Sequence, residues 1–159
     1  MRRLTLEPLT SHAFAAFGDV IEGPDSVGRD YFSDALGNGR DHAAASLSVS
    51  AKVPDSLPLT LTVMERHPHS SQTFIPMDVS RYVVVVAPDA ADGGPDMNAA
   101  RGFIARGDQG ITFGVNVWHA PNAVLDRPSR MAVFMWNADD GQDEEFRDLP
   151  EPIALALPV

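Results

Sequence analysis

The chain has no cysteine, one lysine among its 12 basic residues, and no apolar run longer than Tyr82-Val83-Val84-Val85-Val86-Ala87. Without cysteine there is no disulfide framework, no thiolate nucleophile, no CxxC redox pair and no sulfur-ligated zinc. Any metal must sit on histidine, carboxylate or amide. A run that short cannot span a bilayer, and Glu7 and Pro8 interrupt the N-terminus before a signal-like apolar stretch develops. Base of any kind is scarce: 22 acids against 12 bases give a net charge of −10, with no basic stripe to override it. Such a field repels phosphodiester backbones, so nucleic acid is excluded as an expected partner. The expectation is a soluble, cytoplasmic protein that engages neither membrane nor nucleic acid.

What is present fits one domain over residues 1–159, a length that buries roughly 70% of the surface an unfolded chain exposes. The 12 Gly and 13 Pro are spread along the chain as punctuation. A short helix opens it: Thr10 or Ser11 is placed to cap, Phe14 and Phe17 share a face, and Gly18 stands where a helix would stop. Beyond it the segments near 19–22, 46–53, 57–67, 73–77, 82–87, 102–106, 111–119 and 131–136 are short and β-branched or aromatic. Turn clusters such as Gly37-Asn38-Gly39 and Gly107-Asp108-Gln109-Gly110 separate them. About eight strands at this spacing predict an all-β sandwich or barrel. The 82–87 run lacks alternation, so it is expected to be buried on both faces or to meet a partner copy.

Two strands carry the chemistry. Leu57, Leu59, Leu61 and Val63 are the apolar, inward set of the first, and the same parity continues through Glu65, His67 and His69. In the second, Ile111, Phe113, Val115 and Val117 lead to His119 before Pro121 ends the run. Both strands are thus expected to finish their inward faces in histidine. Pro68 and Gly114 are the two places where a bend or bulge would shift that register. The acidic stretch 139–145 lacks regular calcium-loop spacing and reads as a solvated loop.

His67-Pro68-His69, Gln72, and the later Gly110, Gly114 and His119 resemble the two sequence motifs of the cupin superfamily, an H-x-H strand and a G-x(4)-H strand converging on one metal. A resemblance to the ureidoglycolate lyase family covers most of the chain. It rests on Ala13-Phe14-Ala15-Ala16-Phe17-Gly18-Asp19-Val20-Ile21-Glu22, Leu57-Pro58-Leu59-Thr60, Glu65-Arg66-His67-Pro68, Gln72-Thr73-Phe74-Ile75-Pro76-Met77 and Asn116-Val117-Trp118-His119, in that order. The resemblance implies a cupin-like β-barrel (double-stranded β-helix or jelly roll) with a short N-terminal helix. It also implies a cytoplasmic homodimer and release of urea and glyoxylate from (S)-ureidoglycolate in allantoin catabolism. The chain departs from the family pattern at Phe113-Gly114-Val115, at Trp136-Asn137 and at His69.

The expected catalytic residues are His67, His69, His119 and Glu65, because imidazole titrates near neutrality and can serve as acid or base. The same His67, His69 and His119, with Gln72, are the expected ligands if a divalent transition metal, nickel or manganese, is used; no metal at all is the other option. Gln72 and Trp118 are expected to touch substrate. A substrate carboxylate requires a cation. Arg66 has the wrong parity, which leaves Arg29 and Arg101 as the favoured arginines. Two further readings stay open: a metal-dependent cupin enzyme acting on another small carboxylate, and a non-catalytic small-ligand-binding cupin.

Overall fold

The computed structural model describes residues 1–159, with 51% of residues in strands and 3% in helix, so the chain is all-β. The single helix, α1 (Ser11–Phe14), is capped by Thr10, whose hydroxyl accepts from the Ala13 amide at 3.1 Å. Gly18 opens the next strand instead of merely ending the helix. Its φ is +151°, and a Cβ there would lie 1.8 Å from the Thr112 carbonyl oxygen, so the approach of the two backbones requires glycine.

The larger sheet curls on itself. β6 (Arg81–Ala87) pairs with β7 (Arg101–Arg106), and β1 (Arg2–Pro8), β12 (Glu145–Ala156), β4 (Leu59–Arg66) and β9 (Trp118–His119) follow in order. β9 then pairs back onto β6, closing a six-strand barrel, and β10 (Ala123–Leu125) extends the far end of β6. The second sheet is antiparallel, ordered β2 (Gly18–Ile21), β8 (Gly110–Phe113), β5 (Gln72–Pro76), β11 (Ser129–Asn137) and β3 (Ala44–Lys52). This is the cupin-like barrel with a short N-terminal helix that the sequence leads one to expect. β1 and β12 were not among the expected strands. Arg2, Arg3 and Pro8 flank the first, and Pro150 and Pro152 interrupt the second, so neither reads as a strand until their parallel pairing brings the two chain ends together.

Two cores share β6 as a wall. Val83, Val85 and Ala87 face the barrel interior with Leu6, Leu61, Met64, Trp118, Ile153 and Leu155. Tyr82, Val84 and Val86 face the gap between the sheets with Phe14, Phe74, Phe103, Ile111 and Phe113. Burial of 82–87 on both faces is therefore met within one chain, and no partner copy is needed to explain it.

The two histidine strands differ from the expectation in how they work. Leu61 and Met64 both enter the barrel core although they are three residues apart, opposite the point where the ladder to β12 slips between Asp148 and Ile153. Continuous parity from Leu57 to His69 is therefore broken within β4, and Pro68 and His69 lie in a turn beyond it. The 111–119 segment is two strands in two different sheets. β8 ends at Phe113, Asn116 takes φ 65°, and β9 begins at Trp118 in the barrel. The crossing chain is pinned by the Asn116 amide, which donates to the His67 carbonyl at 2.9 Å.

Candidate active site

Glu65 and His119 are directly opposed residues of β4 and β9. His119 lies on the side of β9 that looks into the gap between the sheets. Its ring stacks on Phe113 at 4.0 Å between centroids and 10° between planes, and the turn through Asn116 is what lets two residues from different sheets meet in this way. His67 follows β4 by one residue, and Pro68, which cannot continue the ladder, sends the chain through a turn that returns as β5 with Gln72. The His67 and His119 ring centroids are 5.4 Å apart. One ligand atom from each of Glu65, His67 and His119 lies within 4.8 Å of the others, a three-residue group able to hold a metal ion.

The hydrogen bonds decide where the lone pairs point. His67 Nδ1 lies 3.0 Å from the Asp143 carbonyl and His119 Nδ1 2.9 Å from the Val117 carbonyl. A carbonyl only accepts, so both Nδ1 atoms carry the proton and, in the neutral rings, both Nε2 atoms present lone pairs. Burial, reinforced by His119, holds His67 below the usual histidine range, which keeps its ring neutral near pH 7. Gln72 Oε1 stands 3.0 Å from His67 Nε2. Its amide either turns its NH₂ onto that lone pair or keeps its oxygen there as a second donor to a shared cation.

His119 Nε2 is buried and has no hydrogen-bond partner; the Glu65 carboxylate lies 3.5 Å away. Burial alone would raise the Glu65 carboxyl. The facing His119, then His67 and Lys52, outweigh it and bring the carboxyl below its ordinary value. Two imidazole lone pairs and a carboxylate thus converge on a space that calls for a proton or a cation.

The remaining expected residues are placed as follows. His69 is half-buried in the turn, outside the group of Glu65, His67 and His119. Trp118 is fully buried on the opposite side of β9, in the barrel core, with the Arg66 guanidinium 4.3 Å above its ring. Arg29 is exposed in the loop after β2, beside Glu22 and Asp108. Arg101 is bound to Glu7 and to the Ala13 carbonyl. Neither arginine is brought to the histidines.

Residues that sequence reasoning passed over surround the cluster. Asp143 lies in the acidic stretch read as a solvated loop. Its carboxylate accepts from the Ala138 and Asp139 amides and pairs with Arg40 at 2.6 Å, while its carbonyl holds His67. Lys52, the lone lysine, ends β3 close enough to Glu65 for their charges to interact. Lysine rarity was the one signal that could have singled it out. A cavity of about 580 Å³ is lined by Lys52, Val63 and Asn122 together with the barrel-core residues Leu61, Val83 and Val85; none of Glu65, His67 and His119 lines it.

Comparison with known proteins agrees across the whole length. A family model described as ureidoglycolate lyase matches residues 1–156. A ureidoglycolate lyase of Chelativorans sp. is 35% identical, covering 99% of this chain and 99% of its own. That of Azotobacter vinelandii is 35% identical over 99% and 100%, and that of Schizosaccharomyces pombe 30% over 99% and 97%.

Proposed function

Because the chain belongs to the ureidoglycolate lyase family, we propose that it is a carbon–nitrogen lyase releasing urea and glyoxylate from (S)-ureidoglycolate, a step of allantoin and purine-nitrogen catabolism. The observation that carries this reading is the unpartnered Nε2 of His119, buried against an ionised Glu65 and a neutral His67. The substrate is a carbinolamide whose central carbon bears a hydroxyl, a ureido nitrogen and a carboxylate. His119 Nε2 takes the hydroxyl proton, the carbon–oxygen bond becomes the glyoxylate carbonyl, and the carbon–nitrogen electron pair leaves on the urea nitrogen. That nitrogen receives the proton back from the imidazolium, so the ring ends as it began and no co-reactant is consumed. Glu65 stabilises the imidazolium formed midway, and the Val117 carbonyl fixes the tautomer through Nδ1. His67, held by Asp143, is the second imidazole of the group, 5.4 Å from His119 between ring centroids.

The donor set also fits a metal. Two imidazole lone pairs, the Glu65 carboxylate and the Gln72 amide oxygen are ligands of the kind a divalent transition ion such as nickel or manganese takes, and an ion held there would polarise the carbinol hydroxyl. Purified protein assayed for glyoxylate and urea, before and after chelation and with nickel or manganese returned, tests both statements. Turnover is expected, and His119→Ala should lower kcat by roughly 10²–10⁴-fold. No glyoxylate under any of these conditions would remove the activity. Turnover that survives chelation would leave the histidines as bases and dismiss their ligand role.

The proposed enzyme is a cytoplasmic homodimer. No helix is long and apolar enough to cross a membrane. Support for the dimer comes from the outer face of β3 and β11, where Leu47 is 76% and Val49 56% exposed beside half-buried Phe134 and Trp136. β3 is also an edge strand, and a second copy would cover this apolar face. Cell fractionation checks the location.

A further inference from the structure

A substrate carboxylate has to approach a protein of net charge −10, and the arginines do not meet it. Arg40, Arg66, Arg81 and Arg101 are each ion-paired, and Arg29 is exposed. We propose that Lys52 and Asn122 form the subsite that receives the carboxylate of the substrate, an inference that rests on reading the Glu65–His67–His119 group as a lyase centre.

Both residues line a cavity of about 580 Å³ that also takes in Val63, two residues before Glu65 on β4, and Ala120, next to His119. None of Glu65, His67 and His119 lines it, and the link to the reacting groups is Lys52, close enough to Glu65 for their charges to interact. Lys52 occupies an inward position of β3, opposite the buried Ser129. Its ammonium donates to the Asn122 carbonyl and makes no ion pair, which leaves two of its three N–H groups for a ligand.

Asn122 supplies the second and independent observation. The residue is 5% exposed, and both its Nδ2 and its Oδ1 are buried without a hydrogen-bond partner. An amide left unsatisfied on both atoms is costly, and such groups persist where something else satisfies them. Here Nδ2 suits one carboxylate oxygen while Lys52 takes the other, and Oδ1 is free to accept an N–H of the ureido arm. Burial holds the Lys52 amine below its usual range, a cost that a bound anion would offset. The subsite therefore selects small ureido acids over their neutral amides.

The test uses oxalurate, a stable ureido acid, and oxaluramide, in which a neutral amide replaces the carboxylate. The wild-type protein is expected to bind oxalurate far more tightly than the amide by calorimetry. Lys52→Met should weaken oxalurate roughly 10- to 100-fold, leave oxaluramide unchanged, and raise KM for ureidoglycolate with kcat little altered. Lys52→Arg should restore most of the affinity. Asn122→Leu should weaken oxalurate while raising Tm, because it removes an unsatisfied buried amide; a structural asparagine would do the reverse. Turnover by the wild type with oxalurate binding unchanged in Lys52→Met, or with both ligands weakened equally, would overturn the subsite and leave the lyase reading standing. A wild type that neither turns over ureidoglycolate nor binds oxalurate would overturn both.

Discussion

β6 and β3 are both apolar-rich strands of one chain, and they are built on opposite principles. β6 is buried from Tyr82 to Ala87 because each of its faces meets a different core. β3 alternates strictly, with Ser46, Ser48 and Ser50 on one face and Ala45, Leu47, Val49 and Ala51 on the other. The conventional reading turns the apolar set inward. Here the serines face inward, opposite Met135, Val133 and Met131, and the same inward face ends in Lys52. Alternation reports that the two faces of a strand meet different environments; it does not report which face is the interior. The inner face of β3 is polar where it approaches the reacting groups, and the outer one apolar where a second copy is proposed to sit.

A buried charge would break this contrast most severely. Val84 is fully buried, so Val84→Asp should destabilise the fold by about 4 kcal/mol or more, seen as loss of a cooperative melting transition. Leu47→Asp, chemically comparable on β3, should leave the protomer within about 0.5 kcal/mol of wild type while halving the mass seen by light scattering. Equal destabilisation by both substitutions would erase the distinction between the strands, and an unchanged mass would remove the outer face as the dimer contact.

A smaller effect is expected on the inner face of β3. Ser50 Oγ is buried with no partner in the protein, so Ser50→Ala should be neutral or stabilising by up to about 1 kcal/mol in chemical denaturation. A clear loss of stability would mean the hydroxyl is satisfied by something essential to the fold.

The smallest effect concerns the start of β6, where Arg81 forms a two-pronged pair with Asp126 after β10. Hydrogen bonds from Arg81 and Ser80 lower the Asp126 carboxyl to about 2. A depressed carboxyl contributes stability that is complete above its unfolded value near 3.8 and is lost as pH falls toward 2. The pair is solvent-exposed, so its contribution is small. Asp126→Asn should lower stability slightly at neutral pH, the difference from wild type shrinking through that acid window and vanishing toward pH 2; a difference present in acid and absent at pH 7 would reverse the assignment.

Much of the fold was legible because strands at this spacing, cut by Gly and Pro, have few arrangements that bury their apolar faces. Seven strands were placed within a few residues, while the expected 111–119 strand is β8 and β9 in two different sheets and the short β10 was not expected. β12 was hidden by Pro150 and Pro152, and β1 by its charged and proline ends, because their pairing partners lie at the opposite ends of the chain. At the site, Glu65, His67 and His119 come together as parity suggested, but by another route. The face changes between Leu61 and Met64, and a turn at Asn116 carries the chain from one sheet to the other. Each departure moves side chains across a strand, and only the full set of cross-strand contacts records that.

The sequence by itself determined the family and narrowed the chemistry: without cysteine, any metal has to sit on histidine, carboxylate or amide, and the family pattern pointed to the histidines. Tertiary structure alone decided which of them meet. His69 is turned out of the cluster, the favoured arginines are committed elsewhere, and Lys52 and Asn122, 70 residues apart, close one side of the cavity. The physical reason is that a lone pair or charge acts over a few ångströms, and such distances between residues remote in sequence are set by sheet closure and register.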